Sequence, residues 1–164
     1  MPACLHTATE KNLDDIRCLI HHTIIRCYPK VYPQGVVDYF LTYHNDSFIL
    51  KNLSEGITLL LFAEDQPVAT GYLHKNTVGG MYVHPDFQGR GYGKTVLQAL
   101  LALARKKKIK KVVLDATLLA EKFYRKAGFK TIDFVYQEMP NGDRLYYFKM
   151  SKDLSPSKKR KKKS

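Results

Sequence analysis

Apolar and polar positions along the chain change period in a regular succession. "ACLHTATE" reads as a short first strand. "NLDDIRCLIHHTIIRCY" follows with Leu13, Ile16, Leu19, Ile20, Ile24 and Ile25 at helical spacing. Asn12 suits an N-cap there, and Asp14 and Asp15 suit the positive end of the helix dipole. "PKVYPQG" breaks that helix, and "VVDYFLTYHN" is a second, aromatic-rich helical stretch. "GITLLLFAE" and "QPVATGYLHK" are strands about the turn "EDQP", and "TVGGMYVHP" is a further strand. "KTVLQALLALARKKK" returns to helical spacing through Val96, Leu97, Leu100, Leu101 and Leu103. "KKVVLDAT" is a strand of the buried type, and "LLAEKFYRKAGF" is a helix stopped by Gly128. "KTIDFVYQEMPNGDRLYYFKMSK" is two strands about Asn141-Gly142, the strongest short hairpin signal. The order is that of one mixed α/β (α+β) domain, expected over residues 1–154. Residues 155–164, "SPSKKRKKKS", contain no apolar side chain and are expected to form a disordered Lys/Arg-rich tail.

Composition changes this picture little. The chain has 164 residues, 45 % of them hydrophobic, enough for one substantial core. No stretch approaches the ~20 apolar residues of a membrane span, and "MPACLHTATEKNLDD" does not read as a signal peptide, so a cytoplasmic location is expected. Cys4, Cys18 and Cys27 are odd in number and lack CxxC spacing, which suggests neither a disulfide framework nor a metal site; no metal is expected. Cys18 falls in the apolar helical pattern and is expected in the core. The formal charge of +12 divides in two, because "KKRKKK" (158–163) carries six of the positive charges.

Candidate chemistry centres on "QGRGYGKT", Gln88 to Thr95, between a strand and a helix. Glycines clustered there imply that the backbone itself is in use. Spacing excludes two phosphate-binding patterns. A Walker A loop needs four residues between its first Gly and the Gly-Lys pair, and a dinucleotide fingerprint needs a third Gly beyond Gly93. What fits is Gln/Arg-x-x-Gly-x-Gly/Ala, on Gln88, Gly91 and Gly93. Two glycines expose consecutive N–H groups, and the helix that follows adds its own unpaired donors, making a cup for a pyrophosphate.

With "MYVHPDFQGRGYG", a helix, a buried strand and then "A-x-x-FY-x-x-x-GF" at Ala120, Phe123, Tyr124, Gly128 and Phe129, residues 81–129 resemble the cofactor-binding half of a GNAT N-acetyltransferase. The resemblance implies a GNAT fold: a central mixed, mostly antiparallel sheet, splayed at the cofactor site and flanked by helices. It implies acetyl-CoA as the acyl donor, held between the strands at 78–84 and 111–116. Met81, Tyr82 and Val83 would pair with the pantetheine arm, and an N–H near Val83 would polarise the thioester carbonyl. Gln88, Gly89, Arg90, Gly91, Tyr92, Gly93, Lys94 and Thr95 would hold the pyrophosphate. Lys122, Arg125 and Lys126 would add to a favourable electrostatic surround. Tyr124 would protonate the departing thiolate.

Two departures from the family pattern stand out. Thr117 occupies a cofactor-contact position that is Asn in many relatives. Gly79 falls about where many relatives carry a glutamate that drains a proton from the amine, leaving Asp115, His74 and His84 as candidate bases, beside a water chain or capture of the neutral fraction of the amine. The implied reaction is direct attack of a primary amine on the thioester, without a covalent acyl-enzyme.

The acceptor pocket is expected from the helices at 12–27 and 36–45 and the hairpin at 132–150, with Tyr28, Tyr32, Tyr39, Phe40, Tyr43 and His44 as candidate lining residues. The amine itself is not named by the sequence; small amines, amino-acid derivatives, antibiotics and protein N-termini or lysines all stay open. Expected partners are acetyl-CoA and the amine, in a monomer or homodimer. The tail allows weak non-specific nucleic-acid contact, a nuclear localisation signal, or no partner. The rival reading is a non-catalytic acyl-CoA sensor or interaction module.

Overall fold

A computed structural model of the chain describes residues 2–155. The lysine- and arginine-rich segment lies outside them. Strand β1 (Cys4–Thr7) leads into helix α1 (Leu13–Cys27), then α2 (Gln34–Tyr43) and α3 (Asp46–Glu55). Strands β2 (Ile57–Ala63), β3 (Gln66–His74) and β4 (Thr77–Val83) form an antiparallel meander. Helix α4 (Tyr92–Lys106), strand β5 (Lys111–Ala116), helix α5 (Glu121–Lys126) and the hairpin β6 (Lys130–Glu138) and β7 (Arg144–Asp153) complete it.

The strands make one sheet in the order β1-β2-β3-β4-β5-β7-β6. Every neighbour is antiparallel except β4 and β5, which run parallel and pair only at Thr77 and Val113. Beyond that rung the two strands part. β4 is also bulged: Thr70 faces Tyr82 and Tyr72 faces Gly79, so Gly80 and Met81 together oppose Gly71. Gly80 supplies the positive φ (+59°) that the extra residue requires.

Alternation along the strands divides the core between the two faces of the sheet. Val78, Val112, Leu114 and Met150 pack under α4 with Val96, Leu97, Leu100 and Leu101. Leu60, Tyr82 and Leu145 pack on the other face with Ile16, Leu19, Ile20 and Ile24 of α1 and Val36 and Val37 of α2.

The structure corrects three local expectations. Asn12 makes no side-chain cap to α1. Its Oδ1 accepts from Thr9 N at 3.0 Å and Thr9 Oγ1 accepts from Lys11 N, closing the preceding turn instead. Cys18 is exposed, because the apolar stripe of α1 runs through Ile16, Leu19, Ile20, Thr23 and Ile24 and leaves residue 18 on the far side. Helix α3 was not expected at all, although Asn45 caps it, its Oδ1 accepting from Phe48 N at 2.9 Å.

Candidate active site

Where β4 and β5 part, a cleft of about 1220 Å³ runs through the molecule. At one end the chain leaves β4 through a short turn, Pro85–Phe87, and enters α4. Gly91 is the N-cap of α4 and sits in the left-handed region at φ +84°, where a β-carbon would be strained although nothing crowds it. The first amides of a fifteen-residue helix are thereby aimed at the cleft. The Gln88 side chain ties this loop back to the sheet, its Nε2 donating to Val83 O at 3.1 Å. That carbonyl therefore points away from β3, and in a strand a residue's N–H points to the same side as its C=O. The Val83 N–H is thus turned toward the parting of the strands.

Of the residues expected at the donor site, Met81, Tyr82, Val83, Gln88, Gly89, Gly91, Tyr92, Gly93, Lys94 and Thr117 line the cleft. Arg90 and Thr95 do not. The Arg90 guanidinium lies 4.8 Å over the Phe87 ring and 3.9 Å from Glu64, and Thr95 Oγ1 donates to Gly91 O in the first turn of α4. Among the expected surrounding cations, Lys126 is on the wall; Arg125 instead pairs with Glu121 through Nε at 2.9 Å. Arg105 and Lys152, which the sequence had not marked, join Lys94 and Lys126 there.

Tyr124 lies on the cleft wall, 5 % exposed, and among the described residues its hydroxyl forms no hydrogen bond. Burial, with Tyr28 and Tyr72 nearby, raises its pKa, so it is a neutral O–H donor through the physiological range. Asp115 opens onto the same cleft from β5. Burial pushes its carboxyl up and Lys149 pulls it back. The other two candidate bases lie elsewhere: His74 approaches Glu55 at 3.4 Å, and His84 Nδ1 accepts from Asp86 N in the turn after β4.

The far end of the cleft is aromatic. Tyr28, Tyr39, Phe40, Tyr43 and His44 line it, together with Tyr72, Gln137, Leu145 and Tyr147. Tyr32 is buried instead, its hydroxyl donating to Tyr146 O at 3.0 Å and accepting from Leu118 N at 2.9 Å. His44 meets the Tyr82 hydroxyl through Nε2 at 2.8 Å, and burial with His21 nearby lowers its pKa to about 4. Neither Tyr72 nor the His44–Tyr82 pair had been singled out. The doublet Gly79-Gly80 inside a strand was the available signal, since paired glycines there mark a bulge or a close approach.

A protein-family model described as "Acetyltransferase (GNAT) domain" matches residues 27–154. This chain belongs to the GNAT acetyltransferase family. It is 40 % identical over 87 residues to an uncharacterised N-acetyltransferase, ycf52, of Pyropia yezoensis, covering 49 % of this chain and 50 % of that protein. The counterpart in Porphyra purpurea is 42 % identical over 53 residues, covering 32 % of this chain and 30 % of that one. The chain thus spans between 30 % and 50 % of the length of these curated relatives. Among solved structures, a GCN5-related N-acetyltransferase from Rhodopseudomonas palustris superposes with a TM-score of 0.85 at 22 % identity, covering 94 % of this chain and 97 % of that one. The paia N-acetyltransferase of Thermoplasma acidophilum, solved in complex with coenzyme A, gives 0.74 at 18 % identity over 93 % and 99 %. At these identities the structures speak for the fold. Among the described residues no helix is long and apolar enough to cross a membrane.

Proposed function

We propose that this chain is an N-acetyltransferase that moves an acetyl group from acetyl-CoA to a primary amine by direct attack in a ternary complex. The observation that carries the reading is a single cleft joining three things: the amide-lined mouth of α4, the gap between β4 and β5, and the Tyr124 hydroxyl, which has no hydrogen-bond partner among the described residues. The wall fits coenzyme A as the donor. Open backbone at Gly89 and Gly91 and the cations of Lys94 and Lys126 suit its phosphates, and a strand edge freed beyond Thr77 suits the amides of its arm.

In this reading the Val83 N–H faces the thioester oxygen and strengthens its hold as negative charge develops there. Tyr124 gives its proton to the leaving sulfur. Asp115 receives the proton that the amine must lose. The acceptor enters from the aromatic end, where among the described residues no lysine or arginine lines the wall beside Tyr39, Phe40, Tyr43 and Tyr72, so amines carrying a carboxylate next to the nitrogen are disfavoured.

Free-thiol release from acetyl-CoA, followed across a panel of phenethylamine, cadaverine and an alanine-terminated peptide, tests this directly. Release above background with at least one amine is expected. Binding of CoA by calorimetry without release on any amine would mark a sensor instead.

A further inference from the structure

Tyr72, Gly79 and Asp115 line one cleft from three neighbouring strands. Tyr72 on β3 is the direct cross-strand partner of Gly79 on β4. On β5, Asp115 lies two residues past the rung at Thr77 and Val113, on the far side of the parting of the strands. All three lie on the sheet face opposite Val78, Leu114 and α4, and all three line the cleft. The glycine at the centre leaves a gap, and the tyrosine fills it. A β-carbon at Gly79 would collide with the Tyr72 hydroxyl and fall 2.5 Å from the ring Cζ. One at Gly80 would fall 2.8 Å from the ring Cδ1. The ring therefore lies across its neighbouring strand, and its hydroxyl ends above Gly79. Asp115 opens onto the same cleft from β5, across the parting of the strands, where intervening water can link the two side chains.

We propose that Tyr72 is the amine-side proton relay: its oxygen takes a proton from the acceptor nitrogen while its own phenolic proton passes through water in the cleft to Asp115. The inference rests on the acetyl-transfer reading above and adds to it a residue from a different strand. A primary ammonium must shed two protons to become an amide nitrogen. The first leaves through Tyr72 to Asp115, which opens onto solvent and releases it to water. The freed lone pair then forms the C–N bond, the C–S bond breaks with its electrons on sulfur, and Tyr124 protonates that sulfur. The second nitrogen proton restores Tyr124.

The groups facing Tyr72 suit the task. Tyr43 of α2 and Asp115 of β5 both act, with burial, to raise its pKa, and Tyr82 and Tyr124 complete the ring of phenols about it. Tyr72 is thereby kept protonated and serves as a neutral conduit rather than as a phenolate base. Burial lifts the Asp115 carboxyl and Lys149 opposes that lift, which leaves the far end of the relay a stronger proton acceptor than a free carboxylate.

The test is the pH profile of Tyr72→Phe, which keeps the ring and removes only the hydroxyl. The acceptor is the fastest member of the amine panel, and calorimetric CoA titration reports whether the donor half is intact. At pH 7 the variant should lose about 100-fold in kcat/KM. It should recover about tenfold for each pH unit toward pH 9, as the neutral amine becomes available without a relay. Wild type should rise less steeply, and CoA affinity should be unchanged. Asp115→Asn, at the outlet of the same relay, should give the same steepened profile. Unchanged rates in either variant, or a loss by one constant factor at every pH, would overturn the relay while leaving acetyl transfer standing. Release of no thiol by wild-type protein with any amine would instead remove the reaction itself, and the relay with it.

Discussion

The Asp143 carboxylate caps a helix 108 residues away in sequence: its Oδ2 accepts from Gly35 N at 2.9 Å. Pro33, the N-cap residue of α2, has no side chain able to do so. The tip of the β6–β7 hairpin therefore supplies what the helix lacks and fixes the helix that carries Tyr39, Phe40 and Tyr43. The fit is close, since a β-carbon on Gly35 would strike both Asn141 and Asp143. Asp143→Ala should lower stability by about 1 kcal/mol in urea unfolding. It should also raise KM for the amine more than for acetyl-CoA. Asp143→Asn, which keeps an acceptor oxygen, should recover most of both.

Removing the Tyr124 hydroxyl separates chemistry from binding. Nothing in the described protein depends on that O–H, so Tyr124→Phe should fold normally and bind CoA with unchanged heat. Thiol release should fall about 100-fold, the scale for losing a general acid. Equal rates in variant and wild type would remove Tyr124 from the mechanism.

Gly91 holds the turn that aims the first amides of α4. Gly91→Ala forces a side chain into the left-handed region and should cost about 1–2 kcal/mol. Because no neighbour crowds the site, the strain is one of backbone alone. Weaker CoA binding by calorimetry should accompany a lower melting temperature.

His44 makes stability depend on acid. Its pKa is lowered to about 4 in the folded chain, below the ordinary ~6.5 of an unfolded histidine. Between those values the unfolded chain binds the extra proton, so stability is full above about pH 6.5 and declines as pH falls toward 4. The loss is on the order of 3 kcal/mol over that window. Urea midpoints at pH 7 and pH 4.5 measure it, and His44→Gln should shrink the difference between them. A variant whose midpoints move as far as those of wild type would place the acid sensitivity elsewhere.

What was legible in the sequence followed from periodicity and punctuation. The 3.6-residue stripe of α4, the alternating strands about Asn141-Gly142 and the glycines before α4 each specify their structure locally. Helix α3 escaped because Asn45, Asp46 and Ser47 read as a turn that hides the cap at Asn45, and Phe48, Ile49, Leu50 and Leu53 span too short a stretch to show a helical period. The start of α4 at Tyr92, ahead of the expected Lys94, reflects how little a helix's first turn shows in side-chain pattern. Along the cleft, the motif residues were readable because short spacing brings them together. Tyr72 was not, because its significance lies in a glycine across a strand pair and a carboxylate two strands off, a neighbourhood that only the bulged register of β3 and β4 creates. Arg90 shows the converse, a cation within the motif that lies against Phe87 instead of on the wall.

Among the described residues, Thr77 and Val113 form the lone paired rung between two panels of the sheet, β1–β4 on one side and β5–β7 on the other. A single rung transmits almost no register. Across the gap the panels are joined through side chains, under α4 on one face and under α1 and α2 on the other, rather than through backbone. Substitutions on β6 and β7 can thus reshape the aromatic mouth while the mount for the donor stays still, which leaves choice of acceptor free to drift among descendants of one scaffold.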